Sequence, residues 1–131
     1  MSKRVLVCGG RAYSDHHIIR AVLNHINKEQ GIGTIIHGGA NGADKLGGDW
    51  GATHKVPVEE YRADWDTFGK SAGIRRNITM LEVGQPDIVV WFTGGVGTEH
   101  MKGIALKKKG VQVIDGDTLY YTVLKERLRN G

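Results

Sequence analysis

Three glycine-rich segments each follow a short apolar run, and their backbone chemistry suits the binding of an anion. They occupy residues 9–11, 37–44 and 93–98. Because glycine has no Cβ, backbone N–H groups at such turns can approach an oxyanion closely, and the N-terminus of a following helix adds partial positive charge. Each Gly-Gly pair taken alone could simply be a tight turn between a strand and a helix. Three such turns at one edge of one sheet favour a site for phosphate or another anion.

The spacing of these glycines and of the histidines disfavours several common chemistries. No Lys-Ser or Lys-Thr follows a suitably spaced glycine pair, as a P-loop requires, and the GGVG of residues 94–97 departs from G-x-G-x-x-G. ATP hydrolysis and NAD binding through the usual fingerprint are therefore not expected. The six histidines form no set with metal-ligand spacing, so we expect no metal site. We also expect no cofactor. Cys8, the one cysteine, is expected to pack in a buried strand.

Alternating strands and helices must position the glycine turns. Short β-rich apolar runs predict strands at residues 4–8, 34–37, 56–61, 87–92 and 111–114. Amphipathic segments predict a first helix opened by Ser14 or Asp15, and further helices at about residues 43–54, 66–82, 98–109 and 118–129. This alternation predicts an α/β fold, a Rossmann-like doubly wound parallel sheet of about five strands with flanking helices. In such a sheet the ligand binds beyond the carboxyl ends of the strands.

Composition and charge limit the kind of protein. A chain of 131 residues, 40% hydrophobic and 24% charged, fits a single globular domain over residues 1–131. No apolar run reaches membrane length and none resembles a signal peptide, so we expect a cytoplasmic protein with no membrane partner. Residues 102–131 hold seven Lys/Arg and three Asp/Glu, which accounts for the net charge of +4. A solvated helix end explains this basic segment better than nucleic-acid binding does.

A series of short segments resembles the SLOG superfamily, the Rossmann-like group that contains the DNA-processing protein DprA and the Lonely guy phosphoribohydrolases. The similarity is greatest to its small bacterial and phage members and covers about residues 4–114. The matching segments are HGGANGAD at 37–44, Trp50, ADW at 63–65, GKSAG at 69–73, RNITM at 76–80 and GGVGT at 94–98. The resemblance implies binding of a nucleotide-derived ligand and, in some branches, hydrolysis of its N-glycosidic bond.

One position departs from the pattern of the Lonely guy enzymes. Those enzymes pair an R-K-x-x-M motif with P-G-G-x-G-T-x-x-E, and the Arg and Glu are associated with cleavage of the base from ribose 5′-monophosphate. Arg76 matches the Arg, whereas Met101 stands where the Glu is expected. A thioether cannot activate water or stabilise an oxocarbenium-like centre. Either hydrolysis is absent, or Asp44 or Asp64 on neighbouring loops replaces the Glu.

Several side chains near the turns are candidate ligand contacts with structural alternatives. Arg11 could pair with a phosphate or be a solvated loop arginine, and Asp44 could accept from a ribose hydroxyl or stabilise the start of the second helix. Trp65 and Tyr13 are candidates for stacking on a base. Trp50 is expected in the core.

Two adjacent arginines and the asparagine that follows them form a second group of candidates. Arg75 and Arg76 point about 100° apart on a helix, so one of them at most faces the site squarely, and the resemblance selects Arg76. Asn77 could bind a base or ribose hydroxyl, or link its helix to a loop.

The predicted site and function follow from these observations. The predicted catalytic residues, if the protein is an enzyme, are Arg76, Asp44 and Asp64. The predicted ligand-binding residues are Gly9, Gly10, Arg11, Gly38, Gly39, Ala40, Asp44, Trp65, Arg76, Asn77, Gly94, Gly95, Val96, Gly97 and Thr98.

Three functions fit that site. A sensor or sponge that binds a nucleotide-derived small molecule is favoured because the Glu is missing. The alternatives are a nucleoside 5′-monophosphate N-glycosidase and a DNA-associated protein that uses its basic C-terminal helix. The resemblance also implies a homo-oligomer, since relatives commonly dimerise through helices that flank the site.

Overall fold

The computed structural model describes residues 2–130, and these residues form one parallel sheet of five strands. The strand order is β3-β2-β1-β4-β5, and every neighbouring pair is parallel. The Rossmann-like α/β fold and all five strands predicted from the sequence are confirmed, with strand ends shifted by one or two residues. The strands are β1 (Lys3–Cys8), β2 (Ile32–His37), β3 (Val58–Glu60), β4 (Ile88–Trp91) and β5 (Gln112–Asp115).

Helices cover both faces of the sheet, as a doubly wound fold requires. Helices α1 (His16–Gln30), α2 (Ala43–Thr53) and α6 (Gly116–Asn130) contribute to one side, and α4 (Ala72–Glu82) and α5 (Val96–Lys107) to the other. The chain runs from β1 outward to β2 and β3, then returns to place β4 on the other side of β1. The strand order therefore reverses between β1 and β4, which is where such sheets open a crevice at their carboxyl edge.

The central strand β1 explains why the core has two halves. Its side chains alternate, so that Val5 and Val7 enter the cluster with α1 and α2, while Leu6 and Cys8 enter the cluster with α4 and α5. This burial on both faces accounts for the unbroken apolar run in the sequence. Truncating Leu6 to alanine would cost about 2–5 kcal/mol, the usual range for a fully buried leucine.

The prediction of one continuous helix over residues 66–82 is wrong. The structure has a short helix α3 (Trp65–Phe68), a 3-10 turn (Gly69–Ser71) and then α4. Gly69 has a φ of 55°, in the left-handed region that glycine adopts without strain, and it ends α3. The other predicted helices are confirmed with ends within two residues. Among the helices between residues 2 and 130, none combines the length and apolar character needed to cross a bilayer.

Candidate functional site

The loops that follow β1, β2 and β4 meet at Gly10. The N–H of Gly10 donates to the Thr93 carbonyl at 3.0 Å, and its own carbonyl accepts from the N–H of Ala43 at 3.2 Å. A Cβ on Gly10 would lie 2.8 Å from the Thr93 oxygen, and one on Gly94 would lie 2.6 Å from the Gly10 nitrogen. The backbones can approach this closely only without side chains, so part of the glycine pattern serves loop packing.

The second glycine pair, Gly38 and Gly39, has its N–H groups occupied within the protein. The Gly38 N–H donates to Asp44 Oδ2 at 2.9 Å, and the Gly39 N–H donates to His37 Nδ1 at 3.0 Å. Arg76 Nη1 donates to the Gly38 carbonyl, and a Cβ on Gly38 would lie 2.7 Å from the guanidinium carbon. The expected phosphate cradle is therefore not formed by these two N–H groups, because Asp44 and His37 already accept from them.

The third glycine segment begins helix α5 and is open. Gly95 is the N-cap residue, and the N–H groups in the first turn of a helix have no acceptor within that helix. Within the described chain, and apart from the flanking residues and the backbone of α5 itself, no atom lies within 4 Å of a Cβ added to Gly95 or Gly97. These two glycines therefore keep space clear in front of N–H groups that carry the positive end of the helix dipole.

A cleft of about 470 Å³ lies between α4 and the start of α5, and Cys8 contributes to its lining at the end of β1. Its volume falls within the range of about 300–1,000 Å³ typical of small-molecule sites. Gly38 and Gly39 line a neighbouring depression that shares Arg11, Ala40, Trp65 and Arg76 with the cleft. Gly94 lines a separate cavity beside Tyr13. The structure brings together in the cleft the predicted residues Gly9, Gly10, Arg11, Ala40, Asp44, Trp65, Arg76, Asn77, Gly95, Val96, Gly97 and Thr98.

Sequence reasoning missed several lining residues. Lys70 and Gly73 belong to the GKSAG segment that carried the family resemblance, but they were not assigned to the site. His100 follows Gly97 by three positions on α5, and this helical spacing places both on one face, so the sequence did contain a signal for it. The remaining missed residues are apolar: Cys8, Ile74 and Met80.

The cleft carries an excess of positive charge. Arg11, Lys70 and Arg76 line it, and Asp44 is the single carboxylate among the lining residues of the described chain. Asp44 is only 4% exposed, and this burial raises its pKa to about 6, against the opposing effects of the Arg76 guanidinium and of the Gly38 and Ala40 N–H groups. Burial also lowers the pKa of Arg76, and nearby Asp44 opposes that shift. Among the charged side chains that an anionic ligand would meet here, cations outnumber the single carboxylate.

Trp65 and Arg11 flank the cleft together. The Arg11 guanidinium carbon lies 5.5 Å from the centroid of the Trp65 ring, and Trp65 is 47% exposed. The other stacking candidate, Tyr13, does not line this cleft. Its ring packs on Phe92 and its hydroxyl donates to Asp117 Oδ1 at 2.7 Å, so its contacts join loop to helix. Trp50 is buried in the core, as predicted.

Neither Asp64 nor position 101 brings an acid into the cleft. Asp64 is the N-cap of α3, where Oδ1 accepts from the Thr67 N–H at 3.1 Å, and it is exposed to solvent outside the cleft lining. Met101 is fully buried in the cluster with Leu6 and Ala105. Of the predicted catalytic residues, Asp44 and Arg76 therefore line the cleft, whereas Asp64 does not.

The reversal of strand order and the cleft at the carboxyl edge define a Rossmann-like domain. Residues 3–68 match the model of the YAcAr family, described as the YspA, cpYpsA-related SLOG family. The Gene 61 protein of Mycobacterium phage D29 is 35% identical over 121 residues, which cover 86% of this chain and 95% of that protein. The chain therefore belongs to the YspA, cpYpsA-related SLOG family, and the resemblance to SLOG proteins inferred from the sequence is confirmed.

A solved structure of phosphoribosylglycinamide formyltransferase from Bacillus halodurans is also similar to this chain. The two are 18% identical with a TM-score of 0.47, and the match covers 83% of this chain and 54% of that one. The chain thus spans about half the length of that enzyme structure. Between residues 2 and 130, no group of three or more His, Cys, Asp or Glu side chains is arranged to hold a metal ion.

Proposed function

We propose that the protein is a cytoplasmic sensor or sponge that binds a nucleotide or nucleotide-derived ligand in the cleft between α4 and α5. The observation that carries this proposal is the open start of α5, where Gly95 and Gly97 leave room in front of first-turn N–H groups. Arg76 and Arg11 line the same cleft. Such N–H groups and guanidinium forks are the usual partners of phosphate oxygens. Membership of a SLOG family is consistent with nucleotide-related binding.

The rest of the ligand would occupy the other side of the cleft. Trp65 is half-exposed beside Arg11, so its ring offers a flat apolar surface on which a base can stack. Asp44 lies deeper. The Gly38 N–H donates to its Oδ2, so its Oδ1 can accept a hydrogen bond from a ribose hydroxyl. We assign the phosphate to residues 95–98 and not to Gly38 and Gly39, because the latter two donate internally.

The choice of binding over cleavage rests on the carboxylates. The position that carries the Glu in the Lonely guy motif holds Met101, which is fully buried and does not reach the cleft. A nucleotide N-glycosidase is the second candidate, and one observation favours it. Asp44 lines the cleft near Arg76 with a pKa raised to about 6, which suits a carboxyl group that donates a proton near neutral pH.

The test is incubation of the full chain with nucleoside monophosphates, NAD, ADP-ribose and cyclic dinucleotides, followed by thermal shift and chromatography of the same samples. A ligand at a hundred times its dissociation constant adds about 2.7 kcal/mol of stability. We expect stabilisation with the ligand recovered intact. Release of free base would establish the glycosidase. Neither stabilisation nor release of base with any of these compounds would contradict both proposals.

Two adjacent arginines provide a matched control for that test. Arg76 lines the cleft, whereas Arg75 is exposed, with its guanidinium carbon 4.3 Å from the Phe68 ring centroid. We expect Arg76→Ala to abolish ligand-induced stabilisation and Arg75→Ala to keep it. Equal effects of the two substitutions would mean that the ligand binds elsewhere.

We further propose that two copies of the chain associate through the outer face of α4. Ile74 and Ile78 lie one helical turn apart and are 48% and 46% exposed, and Phe68 is a further exposed apolar residue in the segment that leads into the helix. Large contiguous apolar patches on a protein surface mark interaction sites, and these three side chains would form the centre of such a patch. Ile74 also lines the cleft, so the interface would border the site.

A further inference from the structure

Asn77 on α4 is buried at 4% exposure and uses its whole amide within the protein. Its Oδ1 accepts from Arg76 Nε at 3.0 Å. Its Nδ2 lies 3.1 Å from the Gly97 carbonyl oxygen and 3.1 Å from His100 Nδ1. Asn77 thus joins the arginine of one cleft wall to the start of α5 on the other.

The chemistry of the first two partners fixes which way this amide points. The Nε–H of an arginine can only donate, so the asparagine oxygen must face Arg76. A backbone carbonyl can only accept, so the NH₂ group must face Gly97. Turning the amide over would place two donors together at Arg76 and two acceptors together at Gly97. The group that faces His100 is therefore the NH₂.

That orientation fixes the proton on the histidine ring. Because the Asn77 NH₂ only donates, His100 Nδ1 must be an unprotonated acceptor, and the ring proton of a neutral imidazole then sits on Nε2. His100 is half-buried and lines the cleft. The ring can therefore present an N–H donor to whatever fills the cleft.

We propose that His100 is a ligand-binding residue that donates its Nε2–H to a phosphate oxygen, and that Asn77 is the positioning residue that holds it in this tautomer. The inference rests on the proposed function and deepens it by adding a neutral donor to the phosphate site. Arg76 uses Nε and Nη1 within the described chain, which leaves its Nη2 end for the same group. Asn77 thereby sets the direction of both donors.

The tautomer can be measured without any ligand. Ring-nitrogen NMR of ¹⁵N-histidine-labelled protein at about pH 8, where an ordinary histidine is neutral, should show His100 protonated at Nε2 and not at Nδ1. The His100→Gln spectrum identifies its signals among the six histidines. Protonation at Nδ1 in the wild-type protein would overturn the inference.

A substitution at Asn77 tests what holds the ring. A carboxylate has no proton to donate, so Asn77→Asp should move the ring proton to Nδ1, from which it can donate to the new side chain. An unchanged tautomer in a folded Asn77→Asp protein would show that Asn77 does not control it. If that variant does not fold, the wild-type tautomer and the His100 variants still decide the proposal.

Two substitutions at His100 separate its two nitrogens. The glutamine amide reaches the position of Nε2 and can donate there, whereas the asparagine oxygen replaces only the Nδ1 acceptor. With adenosine 5′-monophosphate and inorganic phosphate as probes, we expect His100→Asn to weaken binding about tenfold or more. We expect His100→Gln to bind more tightly than His100→Asn, because it keeps the donor at the Nε2 position, and less tightly than the wild type, because it lacks the Nδ1 acceptor that Asn77 holds. The melting temperature of each unliganded variant reports whether its fold is intact.

The outcomes separate this inference from the proposed function. If the wild-type protein binds a probe and His100→Asn binds it equally well, His100 is not a ligand-binding residue. If the wild-type protein binds neither probe nor any compound of the larger panel, the proposed function fails and the ligand role of His100 fails with it. The NMR measurement still decides whether Asn77 fixes the ring.

Discussion

Asp44 is a buried carboxyl group whose burial and whose charged neighbours shift its pKa in opposite directions. It sits in the first turn of α2, where the helix dipole favours a negative charge, and it accepts the Gly38 N–H. Burial nevertheless dominates and raises its pKa from an ordinary value of 3.8 to about 6. The folded protein therefore holds this proton more tightly than the unfolded chain does.

The pH dependence of stability follows from that difference. The stabilising contribution of the protonated carboxyl is fully present below about pH 3.8 and is lost as the pH rises to about 6. The two values correspond to a loss of about 3 kcal/mol at most. We expect Asp44→Asn, which still accepts from Gly38, to flatten this part of the profile in urea unfolding between about pH 4 and pH 7. Parallel profiles for the two proteins would contradict the assignment.

At the residue scale, the sequence predicted most of the cleft lining but not the roles of its members. The family resemblance selected Arg76 over Arg75, and the structure places Arg76 in the cleft. The internal bonds of Gly38 and Gly39 could not be foreseen, because their acceptors depend on how the loop folds back on His37 and Asp44. The histidine spacing excludes a metal site, but the position of His100 one turn after Gly97 indicates that both residues lie on the same face of α5.

At the scale of the elements, the glycines at the start of α5 provide a contrast between two substitutions. Among the described residues, a Cβ on Gly97 meets no atom within 4 Å outside its flanking residues and the backbone of α5, whereas a Cβ on Gly94 would lie 2.6 Å from the Gly10 nitrogen. We expect Gly97→Ala to fold with unchanged or slightly higher stability, since alanine favours the helix by about 0.5–1 kcal/mol, and to weaken ligand binding by filling the cleft. We expect Gly94→Ala to lower the melting temperature.

Thermal unfolding and ligand titration of the two variants check this contrast. Two results would contradict it: a Gly94→Ala protein as stable as the wild type, or a Gly97→Ala protein with unchanged affinity. The first would mean that the loops can separate without cost, and the second that the ligand does not lie against α5.

Prediction of strands and helices from the sequence succeeded where the hydrophobic pattern alone determines the element. It failed where a helical composition competes with a turn at a glycine. The central strands β1 and β4 were predictable because they are buried on both faces, so residues 5–8 of β1 and the whole of β4 are apolar. Residues 66–82 were interpreted as one helix because their composition is helical. The left-handed conformation of Gly69 ends α3 there and redirects the chain into α4. A glycine permits that conformation, but its presence in the sequence does not predict that the conformation is adopted.

At the scale of the whole molecule, the proposed association through α4 makes a prediction about mass. We expect light scattering after size exclusion to give twice the 14.3 kDa of one chain, and Ile78→Lys to give 14.3 kDa, because a lysine would be desolvated in the interface. Leu128→Lys is the control, since Leu128 is 75% exposed on α6, a helix of the opposite sheet face. A wild-type protein of 14.3 kDa would exclude the dimer.

The meeting of three loops at Gly10 also governs when the cleft comes into existence during folding. The Thr93 carbonyl and the Ala43 N–H that bond Gly10 come from distant parts of the chain, so these contacts close long loops and cannot form from local segments. The cleft is therefore completed only after β1, β2 and β4 have been assembled. Once formed, it is expected to open only together with the centre of the sheet, so the amide hydrogen of Gly10 should be among the slowest to exchange with solvent.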